Sequence, residues 1–264
     1  MYAFEYKKAS SLDDAKTLFG SASDATYMAG GMTLIPTLKQ RLAMPSDVID
    51  LQDIASLKGV TVESGFVSIG AMTPHADVAA SIKVQESIPA LAALANLIGD
   101  PQVRNRGTLG GSIANNDPAA DYPGAVLGLN ATIHTNNRTI PADDFFTGMF
   151  ETALEDGEII TKVVFPIPDK AAYKKFPNPA SRYAIVGAFI AKTNDLVRVA
   201  ITGAGPTVFR IIEMEKALTT NFNAEIIKEI TVSQDSLNAD LHASAEYRAH
   251  LIGVMVGRAV SDCN

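Results

Sequence analysis

An α+β fold built from more than one unit is the class this chain predicts, and three observations carry it. The first fifty or so residues alternate short apolar runs with helical stretches, as a small α/β unit does. Hairpin signals then recur on either side of a long segment rich in Gly, Asn, Asp and Pro. Finally, a Lys- and Pro-containing connector, Tyr173–Arg182, precedes a pair of apolar strands and a terminal helix, which puts a domain boundary near it. At 264 residues the chain has room for one large domain or two to three small ones. A chain of this size buries roughly three quarters of its unfolded surface and needs no covalent staples.

Tyr2–Tyr6 opens as a short strand. Ser11 offers an N-cap with Asp14 three residues on, a capping-box variant ahead of the helical stretch Leu12–Phe19. Thr26–Met28 leads into a Gly-Gly step, after which Leu34, Leu38 and Leu42 recur at helical spacing towards Met44-Pro45. Val48–Leu51 is the next strand. Val60–Val62 and Val67–Ile69 flank a turn and form a hairpin. Thr73 caps a helix through Ala80 with Pro74 at its first position, and Pro89–Ile98 forms another, stopped by Gly99 and Pro101. The segment Gln102–Pro123 carries too many breakers to be regular, and irregular segments of that length are usually binding loops. Beyond it come a hairpin around Asn136-Asn137 and a strand over Glu158–Phe165. Paired strands Ala184–Ala191 and Val197–Thr202 turn at Asn194-Asp195, and Ala243–Arg258 forms the closing helix.

Composition excludes several functions. A net charge of −7 with scattered Lys and Arg does not suit a phosphate backbone, and without Trp no stacking platform stands out, so no nucleic-acid partner is expected. The single Cys263 cannot form an intrachain disulfide, a four-cysteine iron–sulfur site or a structural zinc site. Sparse cysteine fits a reducing cytoplasm. No basic region followed by an apolar core marks a signal peptide, and the longest apolar runs are too short to span a bilayer, so a soluble, cytoplasmic protein without membrane insertion is expected.

Two loops carry the chemistry: Ala29-Gly30-Gly31-Met32-Thr33 and Thr108-Leu109-Gly110-Gly111-Ser112. A Gly-Gly step removes two Cβ atoms and lets backbone N–H groups turn towards an anion. Two such loops can close on one diphosphate from both sides, which points to a nucleotide cofactor. The second loop adds the Thr108 and Ser112 hydroxyls to the Gly110 and Gly111 N–H groups as phosphate donors, with Asp121 as an acceptor for ribose hydroxyls. Asp117, before Pro118, is a turn former or a ligand residue. Neither loop continues as a P-loop. Gly203-Ala204-Gly205 is followed by Pro206 and Val208 where a dinucleotide fingerprint needs a small residue, so it is read as a turn. The histidines 75, 134, 242 and 250 lack metal-ligand spacing, and no serine or cysteine sits in a nucleophile motif.

AGGMTLIP (Ala29–Pro36) together with VRNRGTLGGSIANNDPAADYP (Val103–Pro123) resembles the FAD-binding medium subunit of molybdenum hydroxylases, the family of the aerobic carbon monoxide dehydrogenase medium subunit and the xanthine dehydrogenase flavin domain. The likeness continues through Arg138–Pro166 and fades after Lys175–Ala191. It implies a vanillyl-alcohol-oxidase-type (PCMH) fold: two α/β FAD-binding subdomains, 1–55 and 56–172, and a C-terminal α+β domain, 173–264. It implies that Met28–Leu34 (Met28, Ala29, Gly30, Gly31, Met32, Thr33, Leu34) and Thr108–Ser112 hold the FAD pyrophosphate, with Asp121 near the adenosine part. Ile98 and Ile159 or Ile160 match apolar flavin-pocket positions, and Lys175 a position near the flavin ring. Tyr183 either covers one ring face or packs as a strand residue. Met32 and Ser112 depart from the family, which often has a polar residue and Asn there; backbone N–H groups can hold the pyrophosphate without them.

The resemblance also implies partners: a small subunit with two [2Fe–2S] clusters and a large subunit with a molybdenum cofactor, in a dimer of heterotrimers. Electrons released at molybdenum would pass through the clusters to FAD and on to a nicotinamide (NAD), a quinone or dioxygen. The rival readings are a free-standing FAD oxidoreductase with its own substrate site, and a FAD-dependent scaffold without electron transfer. No residue of this chain is expected to act on the hydroxylated substrate.

Overall fold

The first sheet, in this computed structural model describing residues 1–263, is small and parallel. Strand β1 (Glu5–Lys8), helix α1 (Leu12–Ser21), strand β2 (Ala25–Met28), helix α2 (Leu34–Lys39) and strand β3 (Asp47–Asp50) follow one another, and β3 lies between β1 and β2. Every residue of β3 is buried, as a central parallel strand should be. Ser11 caps α1 by accepting from the Asp14 N–H at 3.1 Å. Asp14 reaches back one residue further than a capping box requires, accepting from the N–H and hydroxyl of Ser10. Helix α2 ends at Lys39, short of the stretch that the leucine spacing predicts.

A second, antiparallel sheet follows. It is built from β4 (Val60–Glu63) and β5 (Phe66–Gly70), then, after helices α3 (His75–Ala80), α4 (Ile82–Ser87), α5 (Pro89–Asn96), α6 (Pro101–Arg106), α7 (Leu109–Asn115) and α8 (Tyr122–Gly128), from β6 (Thr132–Thr135) and β7 (Thr139–Pro141). Helix α9 (Ala142–Phe145) and a hairpin of β8 (Phe146–Gly148) and β9 (Glu151–Thr152) lead to β10 (Ile160–Pro166), which inserts between β5 and β6 to give the order β4-β5-β10-β6-β7. The helices cover its apolar face, with Leu91, Leu94, Ile113, Val126, Val163 and Phe165 in one core.

The third sheet, β11 (Lys170–Pro177), β12 (Ala184–Thr193), β13 (Leu196–Thr202) and β14 (Phe209–Arg210), is antiparallel, and its strand β12 is buried on both faces over Ala184–Ala191. Val186, Ala188 and Ile190 of β12 pack with helices α10 (Ile212–Thr220) and α11 (Ala245–Asp262), while Phe189 and Ala191 belong to the core that contains α8. Alternation along the strand thus joins the last sheet to the second unit. Asp143 of α9 reinforces the junction through ion pairs with Arg198 of β13 and Arg210 of β14.

Three readings of the sequence are corrected here. Gln102–Pro123 is mostly helical, because its helices are capped despite the breakers: Asp100 just ahead of it caps α6 through the Val103 N–H, Thr108 caps α7 through the Gly111 N–H, and Asn116 closes α7 in the left-handed conformation. Tyr173–Arg182 is not a connector over its first half, since β11 pairs with β12 along its whole length. Thr73 also differs: its hydroxyl bonds the backbone of Gly59, so α3 starts without a side-chain cap. No helix of the described residues is long and apolar enough to cross a membrane.

Arg248 of α11 staples the third unit from within. It is buried, its Nη1 donates to the Ile185 and Gly203 carbonyls at 2.7 and 2.9 Å, and its Nη2 donates to Asp240 at 2.7 Å. Arg248→Leu would leave these acceptors without a donor and is expected to lower stability by about 3 kcal/mol, read by urea unfolding.

Candidate functional site

A cleft of about 860 Å³ opens where the three units meet, within the range of roughly 300–1,000 Å³ typical of small-molecule and cofactor sites. Ala29, Gly30, Gly31, Met32, Thr33 and Leu34 form one stretch of its wall, and Thr108, Gly110, Gly111 and Ser112 another. Ile98, Asp121, Ile159, Ile160 and Tyr183 also line it. Three of the residues predicted from the sequence stand off the wall. Leu109 is fully buried in the second core, Met28 lies beneath the first loop, and Lys175 is enclosed behind Asp121.

The two loops meet because Gly30 has no side chain. A Cβ there would lie 1.9 Å from the carbonyl oxygen of Arg106, at the end of α6. Gly31 adds the bend, at φ +72°, a conformation costly for other residues.

Their donors differ. The N–H groups of Ala29, Gly30, Gly31, Met32, Thr33 and Leu34 have no acceptor among the described residues. Those of the second loop are taken: Leu109 donates to Thr73 O at 3.2 Å, Gly110 to Ala71 O at 2.8 Å, Gly111 to Thr108 Oγ1 at 3.1 Å and Ser112 to Thr108 O at 3.0 Å. The expectation that Gly110 and Gly111 turn their N–H groups to the ligand is therefore corrected, since folding the loop into α7 turns them inwards. The hydroxyl protons of Thr108 and Ser112 remain available.

The wall is otherwise acidic. Asp100, Asp117, Asp121, Glu155, Asp156 and Glu158 line it, against Arg182 as the sole Lys or Arg among the lining residues. An anion on the two loops must be held by N–H and O–H donors rather than by side-chain cations. Such a run of unpartnered N–H donors suits a diphosphate.

Asp121 is not the open ribose acceptor that the sequence suggests. Its Oδ1 accepts from the Tyr173 hydroxyl and its Oδ2 from Lys175 Nζ at 2.9 Å, and Lys175 also donates to Leu97 O at 3.2 Å. Burial pushes the Asp121 carboxyl up from the usual range, with Lys175 pulling against it. Arg104 donates to Ile98 O at 3.0 Å, so cations on both sides fix the turn that presents Ile98. Tyr183 is half exposed and lines the cleft instead of packing inside β12; burial, then Asp117 and Asp121, push its hydroxyl pKa up. Asp117 accepts from the Ala119 N–H at 2.9 Å, the turn-former geometry, and also lines the cleft.

Glu158 closes the Glu155–Glu158 turn. It accepts from Arg138 Nε and Nη2 at 3.0 Å, Thr135 Oγ1 at 2.7 Å and the Glu155 N–H at 2.8 Å. Arg138 above all brings its carboxyl down to about 2. His75, Arg182 and the Phe19–Tyr27 stack also reach the wall without any motif to announce them. No group of His, Cys, Asp and Glu among the described residues forms a metal site.

A donor-lined, cofactor-sized cleft between two glycine loops defines a nucleotide-binding class, and comparison with known proteins says which nucleotide. Residues 2–168 match the FAD binding domain in molybdopterin dehydrogenase and residues 171–263 the CO dehydrogenase flavoprotein C-terminal domain. The nicotine 6-hydroxylase medium subunit of Paenarthrobacter nicotinovorans is 35% identical, covering 98% of this chain and 96% of that one. The carbon monoxide dehydrogenase medium chain of Hydrogenophaga pseudoflava is 34% identical with the same coverage. The solved structure of reconstituted CO dehydrogenase from Oligotropha carboxidovorans superposes with a TM-score of 0.89 at 31% identity, covering 99% of this chain and 97% of that one. The chain belongs to the FAD-binding medium-subunit family of molybdenum hydroxylases. Its cofactor is FAD, and it is a subunit of an oxidoreductase.

Gly30→Ala should push the first loop off α6 and weaken FAD binding at least about tenfold, since a loss of about 1.4 kcal/mol already has that effect; flavin fluorescence titration reads it. Because the Glu158 carboxyl is depressed, its ion pair stabilises the fold fully above 4.5 and loses that contribution as pH falls through about 2. The melting-temperature gap between wild type and Glu158→Gln should therefore be widest near neutrality and close across that window.

Proposed function

We propose that this chain is the electron-transfer subunit of a molybdenum hydroxylase complex, taking electrons from the [2Fe–2S] clusters of a small partner and passing them through FAD to an external acceptor. A large partner holding the molybdenum cofactor would carry out the substrate chemistry. The observation that carries this reading is the pairing of a donor-lined cleft with a chain whose single cysteine, Cys263, is buried and cannot ligate an iron–sulfur cluster by itself. Bound FAD supplies the redox chemistry, linking one-electron clusters to a one- or two-electron acceptor.

The chain's own residues bind, orient and shield. The six free N–H groups of Ala29–Leu34 and the hydroxyls of Thr108 and Ser112 hold the diphosphate. Ile98, Ile159 and Ile160 provide apolar walls, and Tyr183 covers a ring face. The Tyr173–Asp121–Lys175 network keeps Leu97 and Ile98 in place, so Lys175 acts by positioning rather than by reaching the wall. In this reading the fold is of the vanillyl-alcohol-oxidase type with units 1–55, 56–172 and 173–264. The assembly is a dimer of heterotrimers in the cytoplasm, and the acceptor is a nicotinamide, a quinone or dioxygen.

Co-expression with candidate iron–sulfur and molybdopterin subunits tests the proposal. The expected result is a complex with near-stoichiometric FAD whose flavin absorbance bleaches with substrate only when both partners are present. Bleaching by a substrate of the chain alone would instead favour a free-standing oxidoreductase.

A further inference from the structure

Two buried polar atoms beside the second glycine loop have no partner among the described residues: His75 Nδ1 and the Tyr122 hydroxyl. Their rings are neighbours, 5.3 Å apart between centroids. His75 is 4% exposed, yet it belongs to the cleft wall. Its ring stands in space that Gly107 leaves free, because a Cβ there would lie 2.6 Å from His75 Nε2. The His75 N–H also donates to Gly107 O at 2.9 Å, so the imidazole and the residue before Thr108 are tied together.

The environment selects the tautomer. A buried N–H without an acceptor is rarer and costlier than a bare acceptor nitrogen, so the enclosed Nδ1 carries the lone pair and Nε2 carries the proton. Burial and the neighbouring charge of Arg104 lower the imidazole pKa to about 4, which keeps the ring neutral near neutrality. The result is an uncharged N–H donor beside the Gly107–Gly111 segment, in a wall that has turned its Gly110 and Gly111 N–H groups inwards.

We propose that His75 is a cofactor-binding residue whose Nε2–H donates to the FAD diphosphate on the second-loop side of the cleft. This inference rests on the FAD reading of the cleft. It supplies that side with the donor its backbone lacks, opposite the free N–H row of the first loop. The specificity it confers is for ligands carrying the diphosphate, not for the flavin ring.

The test compares wild type, His75→Leu and His75→Gln in the full chain, co-purified with its partners where they are needed for stability and stripped of FAD. Affinities for FAD, ADP and riboflavin are titrated, and melting temperatures of the FAD-free proteins are recorded. His75→Leu should weaken FAD and ADP about tenfold, the loss of one hydrogen bond to a charged group, and leave riboflavin unchanged. His75→Gln, which keeps an N–H donor, should recover most of the loss. His75→Phe serves as the donorless variant if the leucine protein does not fold. Unchanged FAD and ADP affinities in the donorless variant, or an equal loss for riboflavin, would overturn the role of His75. A wild-type protein that takes up neither FAD nor ADP would overturn the FAD reading itself.

Discussion

The close approach of Gly30 to the Arg106 carbonyl sets the geometry on which the cleft depends. The first loop belongs to the parallel sheet and the second to the helices over the antiparallel sheet, and no hydrogen bond ladder joins those sheets. Bringing them within reach of one diphosphate requires backbone against backbone, with no Cβ between. That contact brings the first loop's unpartnered N–H groups up to the second loop.

The two loops then divide the work. The second is closed on itself and on Ala71 and Thr73, so it is a rigid surface that offers hydroxyls. The first leaves its N–H groups without partners, a cost of about 1–3 kcal/mol for each such group that is buried and stays unbonded. A ligand that meets these groups removes the penalty, which couples cofactor binding to the order of the loop. At the far side of the cleft, Lys175 and Asp121 tie the third sheet to the turn carrying Ile98. Cofactor and fold are thus linked through all three units.

Local features were legible in the sequence where they act locally. The Ser11 cap, the hairpin at Glu63–Phe66 and the turn at Asn194 follow from residues a few positions apart, and the glycine pairs marked the cleft. The helices α6 and α7 are hidden because the Gly, Asn, Asp and Pro residues of the segment read as breakers, whereas Pro101 starts α6 and Asn116 closes α7. The inward turn of the Gly110 and Gly111 N–H groups could not be read either, as it depends on Ala71 and on a helix the composition disguised. Lys175 and His75 depend on Asp121 and Gly107, partners far away in the chain, so no spacing betrays them.

Hydrogen–deuterium exchange of the backbone, with and without FAD, tests the central claim most directly. The account predicts rapid exchange over Ala29–Leu34 in the FAD-free protein, strong protection there on binding, and N–H groups of Leu109–Ser112 that are already protected and change little. Protection gained mainly over Leu109–Ser112, with Ala29–Leu34 unaffected, would contradict it.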